Sequence, residues 1–196
     1  MRLDIVIAGV GGQGNVLASR ILARAAMEVG LPVRTSEVIG MAQREGAVMS
    51  QVRMGAGDYS ALIPNGQADV LLGLELAETV RAVTKLKKGA VVIANSATIY
   101  PVSVSLGFSS YHPEQLTAFL KERTDSLYLF DATSLANQAG TYKATNMVML
   151  GALSVLDLLP YSADHLRAVM EDVIPPRLRE MNLTAFALGR QAVGGA

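Results

Sequence analysis

Residues 3–16 read LDIVIAGVGGQGNV, and this stretch decides the fold. Leu3 to Ala8 is a short apolar run rich in β-branched residues, which suits a strand buried on both faces of a sheet. A glycine cluster follows, Gly9 to Gly14. Beyond it Val16, Leu17, Ile21, Leu22 and Ala25 recur at helical spacing, and Gly30 stands where a helix C-cap belongs. Pro32 then opens a second strand, Val33–Val38. The chain therefore begins as strand, glycine loop, helix, strand.

The same order continues outward. A glycine-punctuated stretch, GMAQREG, runs from Gly40 to Gly46. Ala47–Met54 alternates in part and predicts a strand with one polar face. Val70–Leu74 and Ala90–Ala94 predict buried strands, with a helix over Ala77–Leu86 between them and Gly89 as its stop. Weak strand character covers 101–112. Pro113–Arg123 predicts a helix, and Leu127–Phe130 a last strand. Ser134–Ala139, Tyr142–Leu158, Ala163–Val173 and Pro176–Ala192 all predict helices, and Pro176 suits a first helical position. The expected architecture is α/β: a Rossmann-like, mostly parallel sheet flanked by helices, with a helical C-terminal third, in one domain over 1–196.

Gly9-Val10-Gly11-Gly12-Gln13-Gly14 satisfies G-x-G-x-x-G between a strand and a helix, the context that motif requires. Gly9 would permit the tight turn, Gly11 close backbone approach to an anion, and Gly14 helix–strand packing. Free N–H groups and the helix dipole favour phosphate or carboxylate there. Equally, the glycines could serve the turn alone. Glu37 follows Gly14 at the spacing of an acid that binds a ribose. A Walker A loop would need Gly-Lys-[Ser/Thr], and this chain has Asn15-Val16, which argues against P-loop ATP hydrolysis. Arg44 lies in the second glycine-flanked loop. Its guanidinium could clamp a phosphate or carboxylate bidentately, or pin the loop to the protein's own carboxylates. If both loops leave the same sheet edge, Gly9, Gly11, Gly12, Gln13, Gly14 and Arg44 would share one cavity, suited to coenzyme A, another nucleotide or a partner's carboxylate.

Composition narrows the function. Apolar residues make up 51% of the 196, and charged residues only 17%. Average domains carry about 25% charged residues, so an apolar surface covered by a partner or by self-association is expected. Seventeen basic residues balance seventeen acidic ones, which argues against electrostatic binding of nucleic acid or membrane surfaces. The chain has no cysteine. That excludes a disulfide scaffold, a cysteine nucleophile, and a Cys-ligated zinc or iron–sulfur site within it. His112 and His165 have no metal-ligand spacing and read as structural or exposed. No nucleophile elbow or isolated carboxylate pair stands out, so no catalytic residue and no metal ligand is assigned. Met147 and Met149 read as core, Gln43 and Gln51 as polar contacts, and Met41 as an interface or loop-packing residue. The opening MRLDIVIAGVGG lacks the long apolar stretch and cleavage site expected of a signal peptide, and no apolar run reaches the roughly 18 residues of a membrane span. A soluble, cytoplasmic chain is expected.

Three segments in order carry a resemblance: GVGGQGNVLASRILARAAMEVG (9–30), GMAQREGAVMSQVRMG (40–55) and ALIPNGQADVLLGLELAETVRAV (61–83). They resemble the gamma-type component of the 2-oxoacid:ferredoxin oxidoreductases. The GMAQR and LIP stretches look most like the beta subunits of the indolepyruvate branch. TYKATNMVMLGAL (141–153) and NLTAFALGR (182–190) also fit. One departure is Arg44-Glu45-Gly46, where the family usually has Arg-Gly-Gly. The resemblance implies a non-thiamine subunit that holds no cofactor firmly itself. It implies a large partner subunit carrying thiamine diphosphate and iron–sulfur clusters, coenzyme A as acyl acceptor, and electrons leaving to ferredoxin. A stand-alone nucleotide- or flavin-binding Rossmann protein and a purely structural assembly domain are the alternatives.

Overall fold

The computed structural model describes residues 2–40, 46–57, 59–100, 104, 106–108 and 110–194. Met41, Gln43, Arg44 and Glu45, singled out above, lie outside the described residues. Six strands are formed: β1 (Leu3–Val10), β2 (Val33–Ile39), β3 (Ala47–Met54), β4 (Ala68–Gly73), β5 (Leu86–Asn95) and β6 (Ser126–Phe130). They make one sheet in the order β2-β3-β1-β4-β5-β6. β1, β4, β5 and β6 pair in parallel, and β3 pairs antiparallel with both β1 and β2. The helices are α1 (Asn15–Glu28), α2 (Leu76–Ala82), α3 (Pro113–Arg123), α4 (Ala132–Ala139), α5 (Thr145–Leu153), α6 (Ala163–Val173) and α7 (Arg179–Gly194).

Every residue of β1 is buried, as its unbroken apolar run required. Leu3, Ile5 and Ile7 face a large core with α1, α5 and α7, while Val6 and Ala8 face a smaller one with α2. α1 ends as expected at Gly30, whose φ is +80°. The bonds Leu31 N–H to Ala26 O and Gly30 N–H to Met27 O close a Schellman motif there. α5 is buried along its whole length, Met147 and Met149 included. It crosses α7 at backbone contact: a Cβ on Gly151 would overlap the Phe186 carbonyl oxygen, and one on Gly189 that of Val148. Among the described residues, no helix is long and apolar enough to cross a membrane.

Several expectations shift. β2 is separated from β1 by the reversed strand β3. The link from Gly40 to Gly46 is too short for a parallel crossover, which takes about a dozen residues or more, so the chain turns back as a hairpin. Gly89 does not stop a helix. It sits inside β5 with φ +74°, where the β4–β5 register slips between Ala68 and Val70. The helix expected over Tyr142–Leu158 is a 3-10 turn, Tyr142–Ala144, followed by α5. The described residues of 101–112 form no strand.

Candidate functional site

α1 leaves β1 on one face of the sheet and α2 leaves β4 on the other, as their separate cores show. The chain thus diverges at the carboxyl ends of β1 and β4, the switch point at which open α/β sheets bind ligands. The glycine loop occupies that point. Its residues are held largely by one another. The Gln13 side chain folds back so that Oε1 accepts from Val10 N–H at 2.8 Å and Nε2 donates to the Leu74 carbonyl at 3.0 Å. The Gly11 N–H, expected to face an anion, donates to the Gly46 carbonyl at 2.9 Å. Gly12 is exposed, with φ +90° and open space where a side chain would be. Gly14 has φ +81° and caps α1. The side chain that packs against it is Asn146, whose Nδ2 donates to its carbonyl at 3.1 Å. Asn15 Nδ2 ties the start of α1 to the Val48 carbonyl at 3.0 Å.

Above the loop opens a cleft of about 640 Å³. Gly11, Gly12 and Gln13 form one wall. Thr98 and Ile99 after β5 form another, and Tyr142, Lys143 and Thr145 a third. Asn95 organises its floor. This residue is 1% exposed. Its Nδ2 donates to the Leu74 carbonyl at 3.0 Å and to Thr133 Oγ1 at 2.9 Å, and its Oδ1 accepts from Ala132 N–H at 3.0 Å and Ala97 N–H at 3.2 Å. One side chain therefore joins β4, β5 and the start of α4. Lys143 is exposed, forms no ion pair with the described residues, and also lines a second, more apolar cavity of about 420 Å³ bounded by Leu17, Ile174 and Met181.

A buried acid stands behind the wall that follows β5, with Glu75 Oε1 3.5 Å from Ile99 N–H. Glu75, 2% exposed, caps α2 through Glu78 N–H at 2.9 Å and accepts from the Tyr111 hydroxyl at 2.6 Å. Burial, and the bond to Glu75, push the Tyr111 phenol well above its ordinary pKa. Burial likewise raises the Glu78 carboxyl, against the pull of Arg81.

The structure brings Gly9, Gly11, Gly12, Gln13 and Gly14 together at one loop. Gly46, the last residue of the second loop, is bonded to it, and Gly40 leaves from the same sheet edge by the β2–β3 register. Glu37 is not part of the site. It pairs with Ser50 on the edge strand, two strands from β1, about 10 Å away at ordinary strand spacing. His112 precedes α3 at its N-cap, and His165 lies on α6 with Nε2 3.0 Å from the Ala25 carbonyl. Gln51 accepts from Ile63 N–H at 2.6 Å, a structural contact. Sequence reasoning missed Asn95, Lys143, Asn146 and Glu75. The first ends an apolar run at a polar residue and the next two lie in TYKATN, a segment already noted for its resemblance.

The model of the pyruvate ferredoxin/flavodoxin oxidoreductase family matches residues 4–192. The indolepyruvate oxidoreductase subunit IorB of Pyrococcus horikoshii is 42% identical over 191 residues, covering 96% of this chain and 95% of that one. The IorB subunit of Thermococcus kodakarensis is 40% identical with the same coverage. Among solved structures, the gamma subunit of keto/oxoacid ferredoxin oxidoreductase from Geobacter sulfurreducens superposes with a TM-score of 0.72 at 25% identity over 99% of both chains. The chain belongs to the pyruvate ferredoxin/flavodoxin oxidoreductase family.

Proposed function

We propose that this chain is the small, non-thiamine subunit of a 2-oxoacid:ferredoxin oxidoreductase acting on indolepyruvate or a related aryl pyruvate. The complex oxidatively decarboxylates the acid to an acyl-coenzyme A and passes electrons to ferredoxin. The observation that carries this reading is the full-length similarity to the IorB subunits of indolepyruvate oxidoreductases. Without a cysteine the chain supplies no thiolate to an iron–sulfur cluster; in this reading the clusters and the thiamine diphosphate belong to a large partner subunit, as the family resemblance implies.

The chain's own contribution is the cleft at the carboxyl edge. Exposed apolar residues stand at this edge: Val38 and Ile39 at the end of β2, Tyr142 at the cleft, and Tyr100 after β5. They suit a surface that a partner covers. The cleft residues fit coenzyme A at the rim, where Gly12 leaves backbone open and Lys143 is a cation with no ion pair among the described residues; Arg44, which lies between Gly40 and Gly46 in the sequence, is the second cation of this proposal. Nothing specific favours a stand-alone dinucleotide-binding protein, because Glu37 lies on the wrong strand and Gln13 fills the loop.

The test is kinetic. In the reconstituted complex, Arg44→Ala and Lys143→Ala are each expected to raise the Michaelis constant for coenzyme A about 10- to 100-fold, the effect of losing one charge-assisted contact of about 1.5–3 kcal/mol. The turnover number should change little. An unchanged constant together with unchanged partner affinity would leave both residues a structural role only.

A further inference from the structure

The loop carries the sequence pattern of a dinucleotide cradle, yet the crevice beneath it is filled from within. In a cradle of this kind the pyrophosphate rests on loop amides at the switch point and the ligand extends across the strand ends. Here the amides of Val10, Gly11 and Gln13 and the carbonyl at the end of β4 are already engaged. Val10 N–H is bonded to Gln13 Oε1, and the Leu74 carbonyl, at the facing end of β4, accepts from Gln13 Nε2 and Asn95 Nδ2. Gln13 N–H bonds back to the Val10 carbonyl at 3.3 Å, and Gly11 N–H is bonded to Gly46. Gly9 serves the same arrangement. A Cβ there would stand 2.6 Å from Gln13 Oε1 and 3.0 Å from the Leu74 Cβ, so its glycine makes room for the glutamine rather than for a ligand.

We infer that Gln13 is a plug that closes the switch-point crevice to dinucleotides and confines any ligand to the rim of the cleft. A primary amide suits this task because it accepts and donates at once. It satisfies the orphan N–H of one strand end and an orphan carbonyl of the next. A dinucleotide entering the crevice would break both bonds and leave the Leu74 side without its Gln13 donor. The motif then marks a turn sealed between the strand ends, and the groups left open at the rim above the plug include Gly12 and Lys143. This assignment is independent of the coenzyme A reading, which places its ligand at that rim.

The experiment titrates the ¹⁵N-labelled full-length chain with ADP, the minimal pyrophosphate nucleotide, and follows backbone and side-chain amides by NMR. In the wild type, millimolar ADP should leave Val10 and the Gln13 side-chain amide unshifted. In Gln13→Ala, Val10 should shift saturably, with an apparent affinity at least about tenfold above the wild-type bound. Should the alanine variant fail to fold, Gln13→Ser vacates the same crevice and carries the same expectation. Saturable wild-type shifts at Val10 and the Gln13 side chain overturn the plug, as does a folded variant whose Val10 still does not respond. Wild-type shifts confined to Gly12 and Lys143 support the plug, since they place the ligand at the rim. Their absence counts against the coenzyme A reading and leaves the plug standing on Val10.

Discussion

Single amides do much of the joining at the site. Asn95 satisfies two backbone amides, a carbonyl and a hydroxyl from three elements while itself excluded from water. Removing it leaves buried polar groups unpaired, each costing about 1–3 kcal/mol. Asn95→Ala is therefore expected to lower unfolding free energy by about 2–4 kcal/mol, measured by urea denaturation. A loss below about 0.5 kcal/mol, the level of an ordinary surface substitution, would show that water replaces these bonds freely. The glycine loop was legible as a loop from its spacing alone. That Gln13 would fold back over Gly9 was not, because the spacing of glycines says nothing about which neighbour fills the room they leave.

At the scale of elements, the close crossing of α5 and α7 depends on Gly151 and Gly189, where an added Cβ meets backbone rather than a side chain that could move. Gly151→Ala should cost about 3 kcal/mol or more despite alanine's better helix propensity, read as a lowered denaturation midpoint with an unchanged slope. A neutral result would mean that the helices separate without loss of packing. Strand–loop–helix order was readable because periodicity is a local signal: the LDIVIA run, the helical spacing after Gly14 and the Gly30 cap all hold. Strand neighbours are a non-local property. The seven residues from Gly40 to Gly46 did contain the clue, since so short a link forces a hairpin. Spacing along the chain set Glu37 where a ribose-binding acid belongs, but the sheet puts β3 between its strand and β1. Asn95 and Asn146 stayed hidden for the same reason, as each acts on groups brought to it by the sheet.

The whole molecule is asymmetric along the strand direction. At the amino edge the buried pair Asp4–Arg53 is bonded at 2.8 and 3.0 Å, and Arg53 also donates to the carbonyls of Ser60 and Leu62. Lys85 Nζ holds the Ile63 carbonyl of the same segment at 2.9 Å. At the carboxyl edge lie the open cleft and exposed Val38, Ile39, Tyr100 and Tyr142. An open cleft flanked by exposed apolar side chains suits a surface that a partner subunit covers. The low charged fraction of 17% agrees with a surface partly meant for contact. The most direct measurement is reduction of ferredoxin by indolepyruvate and coenzyme A, assayed for the purified chain, the large partner subunit, and the two together. Turnover is expected only from the two together; turnover by the isolated chain, or full activity of the partner without it, would overturn the assignment of this chain as an obligatory subunit.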